Sequence, residues 1–231
     1  MDPARIEDLL APFLSSRSFR RAAGPEESGV AARAPLSPLQ LESISTYIDL
    51  LLRWNSRISL TAVREPEEIL TRHFGESLFA ASHLFPLTGG QGRTANGVID
   101  VGSGAGFPGL PIKIWAPDLH LTLIESNQKK ATFLREVVRT LTLTNIDVFS
   151  ARAEDFASTA GVVTLRAVER FEQILPIAAR LVAPGGRLAL MIGNSQVARA
   201  EDVAGRFLWD SPIPTPRATS TVLLIGKAQA P

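Results

Sequence analysis

Residues 98–109 read Val-Ile-Asp-Val-Gly-Ser-Gly-Ala-Gly-Phe-Pro-Gly. Val98 to Val101, apolar and β-branched around the single Asp100, end abruptly in Gly102, Gly104 and Gly106, the pattern of a strand running into a tight turn at the carboxyl edge of a sheet. Glycine there lets the backbone take positive φ and approach a ligand closely. Pro108, with fixed φ and no N–H, suits the first turn of a following helix, whose N-terminus presents free N–H groups. A second apolar run, Leu121 to Ile124, ends in Glu125, 19 positions after Gly106. That is close to the spacing at which an acid at a second strand's tip accepts hydrogen bonds from ribose hydroxyls. Glycine turn and distant acid together predict a nucleotide-like ligand.

A dinucleotide fingerprint would carry its third glycine where this chain has Phe107, which disfavours a pyrophosphate cradle. The motif alone leaves a nicotinamide cofactor and S-adenosylmethionine both open.

Composition bounds the remaining choices. The chain of 231 residues suits one large domain, or one domain with an appendage, and can bury a substantial core. No run approaches eighteen apolar residues and the N-terminus lacks a secretory apolar stretch, so no membrane span and a cytoplasmic location are expected. Zero cysteines remove disulfides, thiolate metal sites and thiolate nucleophiles together, and His73, His83 and His120 have no metal-ligand spacing, so no metal is expected. A formal net charge of +1 argues against a general polyanion binder; any nucleic-acid contact must come from local patches.

Outward from the glycine turn, the chain alternates in the α/β manner: strands at about 98–101, 121–125, 146–150, 162–166 and 187–193, helices at about 109–116, 127–141, 170–183 and 196–205. This predicts a parallel sheet covered on both faces, with ligands at the strands' carboxyl ends. In the helix after Glu125, Phe133, Leu134, Val137, Val138 and Leu141 are expected inward and Lys129, Lys130, Arg135 and Arg139 outward. The last strand, 219–227, follows no helix but Phe207–Ser211 and a proline-rich stretch, which predicts an antiparallel hairpin at the sheet edge. On the amino-terminal side, helices are expected at 2–14, at 39–54 and at 66–85, the last opened by two glutamates and containing His73 as a packed or hydrogen-bonded structural histidine. Residues 15–38, with Arg17, Arg20, Arg21 and Arg33 among Ala, Gly, Ser and Pro, read as a mobile linker, and a glycine-rich loop follows Leu87. The expected division is 1–38 short helix and linker, 39–90 helical cap, and 91–231 a Rossmann-like domain.

Several of these residues together resemble a known family. Trp54-Asn55 with Leu60-Thr61, His73 with Ser77-Leu78, Ile99 to Pro111, Lys130 with Phe133-Leu134, Arg152-Ala-Glu and Arg166-Ala167 are similar to the bacterial small-subunit ribosomal RNA guanine-N7 methyltransferases, also called glucose-inhibited division protein B. The resemblance runs from about Leu50 to the end. It implies a class I S-adenosylmethionine-dependent methyltransferase sheet with an antiparallel C-terminal hairpin. It also implies methylation of one guanine of 16S ribosomal RNA, within the small ribosomal subunit. Carried over by position, Gly102, Gly104 and Phe107 would lie against the cofactor, Glu125 at its ribose, Ala153 and Glu154 beside the adenine, and Arg166 at the cofactor or the incoming base. Ser59 and Glu76 stand where the family usually has asparagine and aspartate, and Gly161 where an aspartate often precedes the fourth strand.

The residue inventory narrows the reaction independently. Methylation at pyrimidine C5 ordinarily needs a cysteine, and there is none. Exocyclic amines commonly go with an Asn/Asp-Pro-Pro-aromatic loop, but the corresponding place reads Arg166-Ala-Val-Glu. Guanine N7 offers a free lone pair and needs no general base, so catalysis by positioning is expected, with no catalytic nucleophile and Arg166 as a substrate clamp. The alternative for Arg166 is an internal ion pair with Glu154 or Asp100. A non-catalytic, RNA-binding methyltransferase-like module and a nicotinamide-dependent oxidoreductase are the competing readings. A monomer is the expected state.

Overall fold

In the computed structural model, residues 1–15, 36–86, 97–167, 170–203 and 205–229 are described. The predicted linker, its arginines and the glycine-rich loop fall mostly outside these residues.

The amino-terminal part is helical: α1 (Pro3–Leu14), α2 (Pro38–Asn55), α3 (Pro66–Ile69), a π-helical stretch Leu70–Gly75 and α4 (Glu76–Leu84). Local capping explains the starts. Asp2 accepts from the Arg5 N–H, and Ser37 and Gln40 close a reciprocal capping box ahead of Pro38. The single helix expected over 66–85 is present but widens to π geometry through Leu70–Gly75, a register change frequent at functional sites. Its last residue, Gly75, is where α1 docks: a Cβ there would stand 2.6 Å from the Phe13 ring.

The rest alternates as predicted: β1 (Val98–Val101), α5 (Gly109–Trp115), β2 (Leu121–Ile124), α6 (Gln128–Thr140), β3 (Ile146–Phe149), β4 (Ala160–Arg166), α7 (Phe171–Arg180), β5 (Val182–Gly193), α8 (Val197–Val203), β6 (Phe207–Trp209), β7 (Ile213–Pro214) and β8 (Thr221–Ala228). The sheet order is β3-β2-β1-β4-β5-β8-β6, with β7 paired to β8. The first five strands are parallel; β8 runs antiparallel to β5, and β6 antiparallel to β8. The C-terminal edge is thus antiparallel as expected, but it holds more than two strands. Phe207–Trp209, read from sequence as a mere approach, is itself the outer strand, and β8 is inserted inside it. The strand expected at 187–193 begins earlier, at Val182, because Ala160 pairs with Val182 before a register shift.

Side-chain alternation divides the core between the two faces. Val98, Leu121, Leu123 and Val162 join the cluster made by α1, α2, α4, α5 and α6, while Ile99, Val101, Ile124, Val163 and Leu165 join that of α7 and α8. The cap helices therefore share one continuous core with α5 and α6. In α6, Phe133, Leu134 and Val137 are buried as predicted; Val138 and Leu141 are only partly so.

The chain passes from β1 outward to β2 and β3, then returns to the other side of β1 as β4. Ligand crevices in open parallel sheets form at the carboxyl ends beside such a reversal.

Candidate active site

The glycine turn sits at that reversal. Gly102, Gly104 and Gly106 have φ of 69°, 58° and 90°, values costly for any residue with a Cβ. The turn closes on itself: the Gly106 and Phe107 N–H groups donate to the Ser103 carbonyl, and Ser103 Oγ donates to the Asp100 carbonyl. Asp100, 1 % exposed, anchors the turn from below. Its Oδ1 accepts from Thr164 Oγ1 at 2.7 Å and its Oδ2 from the Gly109 N–H at 3.2 Å, so a strand carboxylate caps the start of α5. Burial raises its pKa to about 6, against the pull of those hydrogen bonds.

Glu125, the residue just past β2, reaches across to the turn. Its Oε2 accepts from the Gly104 N–H at 2.8 Å and its Oε1 from the Asn127 N–H at 2.7 Å. Asn127 in turn caps α6 through the Lys129 and Lys130 N–H groups. Beyond β3, Ala153–Asp155 form a short 3-10 turn with Ala153 buried and Glu154 exposed. Glu125, the turn, Ala153, Glu154 and Arg166 all border one cavity of about 710 Å³ at the strands' carboxyl ends. All seven sequence-predicted site residues are among its walls. Lys130, expected outward on α6, also borders it, as do Arg152 and Arg170.

The opposite wall comes from the cap. Arg166, at the tip of β4, donates from Nη2 to Glu76 Oε2 and to the Arg72 carbonyl, each at 2.8 Å, and approaches His73 Nδ1 at 3.3 Å. Its ion pair is thus with Glu76, and not with Glu154 or Asp100, the partners of the alternative reading. Asp100 is committed to Thr164 and Gly109, while the π-helical stretch brings Glu76 and the Arg72 carbonyl to the strand tip. Both side chains of the pair are mostly covered, 14 % and 12 % exposed. Guanidinium carries five N–H donors, so the Nε–H and one Nη1–H remain for a ligand. Ala167 follows with φ 48°, turning the chain sharply at the cavity wall.

His73 is held as the sequence expected of a structural histidine, yet it also borders the cavity. Its Nε2 lies 2.8 Å from Thr61 Oγ1 and its ring packs on Phe107 at 4.9 Å. Burial first, then the Arg166 and Arg72 charges, push its pKa down to about 3, so the imidazole is neutral. With Nδ1 accepting from Arg166, the proton sits on Nε2 and is donated to Thr61. Asn55 fixes that loop: its Oδ1 accepts from the Leu60 and Thr61 N–H groups and its Nδ2 donates to the Thr61 carbonyl.

One residue packed behind the cavity escaped the sequence reading. Tyr47 of α2, fully buried, stacks on Phe107 with centroids 5.5 Å apart and donates its hydroxyl to the Ala105 carbonyl. The signal was available, since it is the single tyrosine of the chain.

Comparison with known proteins identifies the family. The family model described as "rRNA small subunit methyltransferase G" matches residues 40–211. The chain belongs to the rRNA small subunit methyltransferase G family. It is 36% identical over 209 residues to the "Ribosomal RNA small subunit methyltransferase G" of Roseiflexus castenholzii, covering 85% of this chain and 86% of that protein. With the protein of the same name from Desulfitobacterium hafniense it is 41% identical over 157 residues, 65% of this chain and 62% of that one, so this match spans less than two thirds of the relative's length. A solved structure, the ribosomal protein L11 methylase of Lactobacillus delbrueckii, superposes with a TM-score of 0.55 over 68% of this chain and 79% of that one at 14% identity, a likeness of fold. The fold is that of the class I S-adenosylmethionine-dependent methyltransferases.

Proposed function

We propose that this chain transfers the methyl group of S-adenosylmethionine to N7 of one guanine in 16S ribosomal RNA, in the cytoplasm and on the small ribosomal subunit. The observation that carries the reading is the order of groups along the carboxyl edge, which follows the strand order. Ala153 and Glu154 stand past β3, Glu125 past β2, the glycine turn past β1 and Arg166 at the end of β4.

The donor set fits that cofactor. Ala153 with Ile124 and Ile174 gives an apolar slot for a purine, with Glu154 at its rim. Glu125 has one backbone N–H on each oxygen, which holds the carboxylate in place and leaves further lone pairs for ribose hydroxyls. Gly102 and Gly104 present a side-chain-free surface, and Phe107 forms the wall beyond. When bound, the cofactor supplies an electrophilic methyl on a sulfonium, which a guanine N7 lone pair accepts without losing a proton.

The chain's own residues then have three tasks. The cap and the turn exclude water and hold the two reactants in line, a contribution on the order of 7–11 kcal/mol when geometry is near attack. Arg166, fixed by Glu76 and the Arg72 carbonyl, aims its remaining N–H donors at the cofactor or at O6 of the guanine. His73 takes no proton, because it is neutral with both ring nitrogens engaged. The absence of an available imidazole base supports an acceptor atom that needs none. Lys130, Arg152 and Arg170 border the same cavity with no carboxylate partner among the described residues, and suit phosphates flanking the target. N7 faces the deep groove of paired RNA, so the guanine is read in a loop or turned out, which favours an assembled subunit.

The test is methyl transfer from labelled S-adenosylmethionine to small subunits lacking the modification, followed by borohydride and aniline cleavage. Label at one cleavable guanine is the expected result. Label at a base that resists cleavage would replace N7 with another acceptor, and cofactor binding without any transfer would favour a non-catalytic RNA-binding module.

A further inference from the structure

We infer that Tyr47, on the helical cap, is a positioning residue for the cofactor: its hydroxyl holds the Ala105 carbonyl and so sets the shape of the Gly102–Gly106 turn. This rests on the cofactor reading above. The ring is gripped on three sides, stacked on Phe107 with planes 3° apart, met edge-on by Phe74 at 5.1 Å, and tilted against Phe133 at 6.3 Å. Those neighbours come from the turn, the π-helical stretch and α6, so the phenol has no freedom to leave its acceptor.

The fit to the turn is close. A Cβ at Gly106 would lie 2.2 Å from the Tyr47 hydroxyl, so the glycine is required as much by this side chain as by its φ of 90°. Ala105 is 7 % exposed, and its carbonyl takes the phenolic proton at 2.5 Å. Held there, the carbonyl points into the protein and away from the cavity that Gly104, Ala105 and Phe107 border. The Ser103 carbonyl takes the Gly106 N–H and Glu125 takes the Gly104 N–H, so the turn is fixed at both shoulders and at its apex. Without the hydroxyl the buried Ala105 carbonyl loses its donor, and the peptide gains by rotating toward water, into the space the cofactor needs. The sheet supplies the turn and the cap locks it.

Two variants and one label test this. Tyr47→Phe removes only the hydroxyl, and we expect its dissociation constant for S-adenosylhomocysteine, measured by calorimetry, to rise about tenfold. Phe74→Leu keeps the hydroxyl while loosening the ring's packing; it is expected to lower the melting temperature with affinity unchanged. Equal affinity loss in both, or a Tyr47→Phe protein that binds like wild type while melting lower, would overturn the role. Because Tyr47 is the single tyrosine, growth on 3-fluorotyrosine places one fluorine on the wild-type chain without deleting the hydroxyl. Its resonance is expected to shift on saturation with S-adenosylhomocysteine, and a resonance that stays put would overturn the role even if Tyr47→Phe does not fold. A wild-type protein that binds no S-adenosylhomocysteine would instead overturn the cofactor reading on which the role depends.

Discussion

The cavity has a floor and a wall built by different means. The floor, from Asp100 through Gly106 to Glu125, is held by backbone groups and side chains of neighbouring strands: Glu125 reaches Gly104, 21 residues away, and Asp100 reaches Gly109. The wall, Thr61, His73, Glu76 and Arg166, is held by side chains, with Arg166 brought to Glu76 and His73 across 90 and 93 residues of chain. A floor made of backbone tolerates change in everything but shape, whereas a wall made of charges depends on every partner remaining. Disturbing the two should therefore fail in different ways.

The largest effect is expected from the wall. Glu76→Ala leaves the Arg166 guanidinium mostly covered with no carboxylate, a change of about 3 kcal/mol for an interior pair broken on one side. Denaturant unfolding should register that loss, together with reduced methyl transfer as Arg166 loses its aim. Glu76→Ala combined with Arg166→Ala should recover much of the stability, though not the activity, because no charge is left stranded. A double variant as unstable as the sum of its parts would show that the two side chains do not depend on each other.

Next comes the floor. Glu125→Ala removes the acceptor proposed for ribose hydroxyls and frees the Gly104 and Asn127 N–H groups. Weakening of cofactor binding by about 1.5–3 kcal/mol is expected, with a smaller loss of stability since those N–H groups border the cavity and can reach water. Calorimetry with S-adenosylhomocysteine checks it; an unchanged dissociation constant would take Glu125 out of the site.

The same contrast explains what could be read from the sequence. The bonds between Glu125 and Gly104 and between Asp100 and Gly109 are local, so the floor's chemistry is written in spacing: an apolar run ending in glycines, then an acid past the next run. Strand limits from that pattern agree with β1, β2 and β3 to within a residue or so. The wall is not local. Arg166 was recognisable as a strand-tip cation, but its partner Glu76 lies on another element, and only the π-helical turn explains why Glu76 and the Arg72 carbonyl point the same way. Tyr47 escaped for a related reason. On an apolar helix face a tyrosine reads as packing, and the carbonyl it serves, Ala105, belongs to an element 58 residues on. Phe207–Trp209 escaped because three residues carry too little periodicity to announce an outer strand.

Acid should separate wall from floor more gently. His73 has a folded pKa of about 3 against 6.5 unfolded, so between these values the unfolded chain binds the proton and the folded chain does not. Stability from His73 is complete above 6.5 and is lost as pH falls toward 3. Asp100 has the opposite sign: with a folded value of about 6 against 3.8, the folded chain holds the extra proton, and stability rises as pH falls from about 6 to 4. The two partly cancel in the wild type. In His73→Gln the loss on acidification should shrink, leaving the upward trend from Asp100, and urea midpoints at pH 4, 5, 6 and 7 would reveal it. Parallel wild-type and variant curves would mean that His73 keeps its proton equilibrium unchanged on folding.

The smallest effect belongs to a third pair, one that resembles the wall only on paper. Arg5 of α1 meets Glu67 of α3 in a bidentate contact, Nε to Oε1 at 2.8 Å and Nη2 to Oε2 at 2.9 Å, as short as the bond from Arg166 to Glu76. Yet about half of each side chain is exposed, 49% and 53%. Water and salt screen both charges, and each side chain gives up rotamer freedom to meet the other. What holds α1 in place is its apolar face, Ile6, Leu10 and Phe13 against the π-helical stretch and α2. Arg5→Ala is therefore expected to leave the melting temperature unchanged within error at physiological salt, and Phe13→Ala to lower it by several degrees. Should Arg5→Ala destabilise the protein as much as Glu76→Ala does, coverage from water would not be what gives the wall its strength.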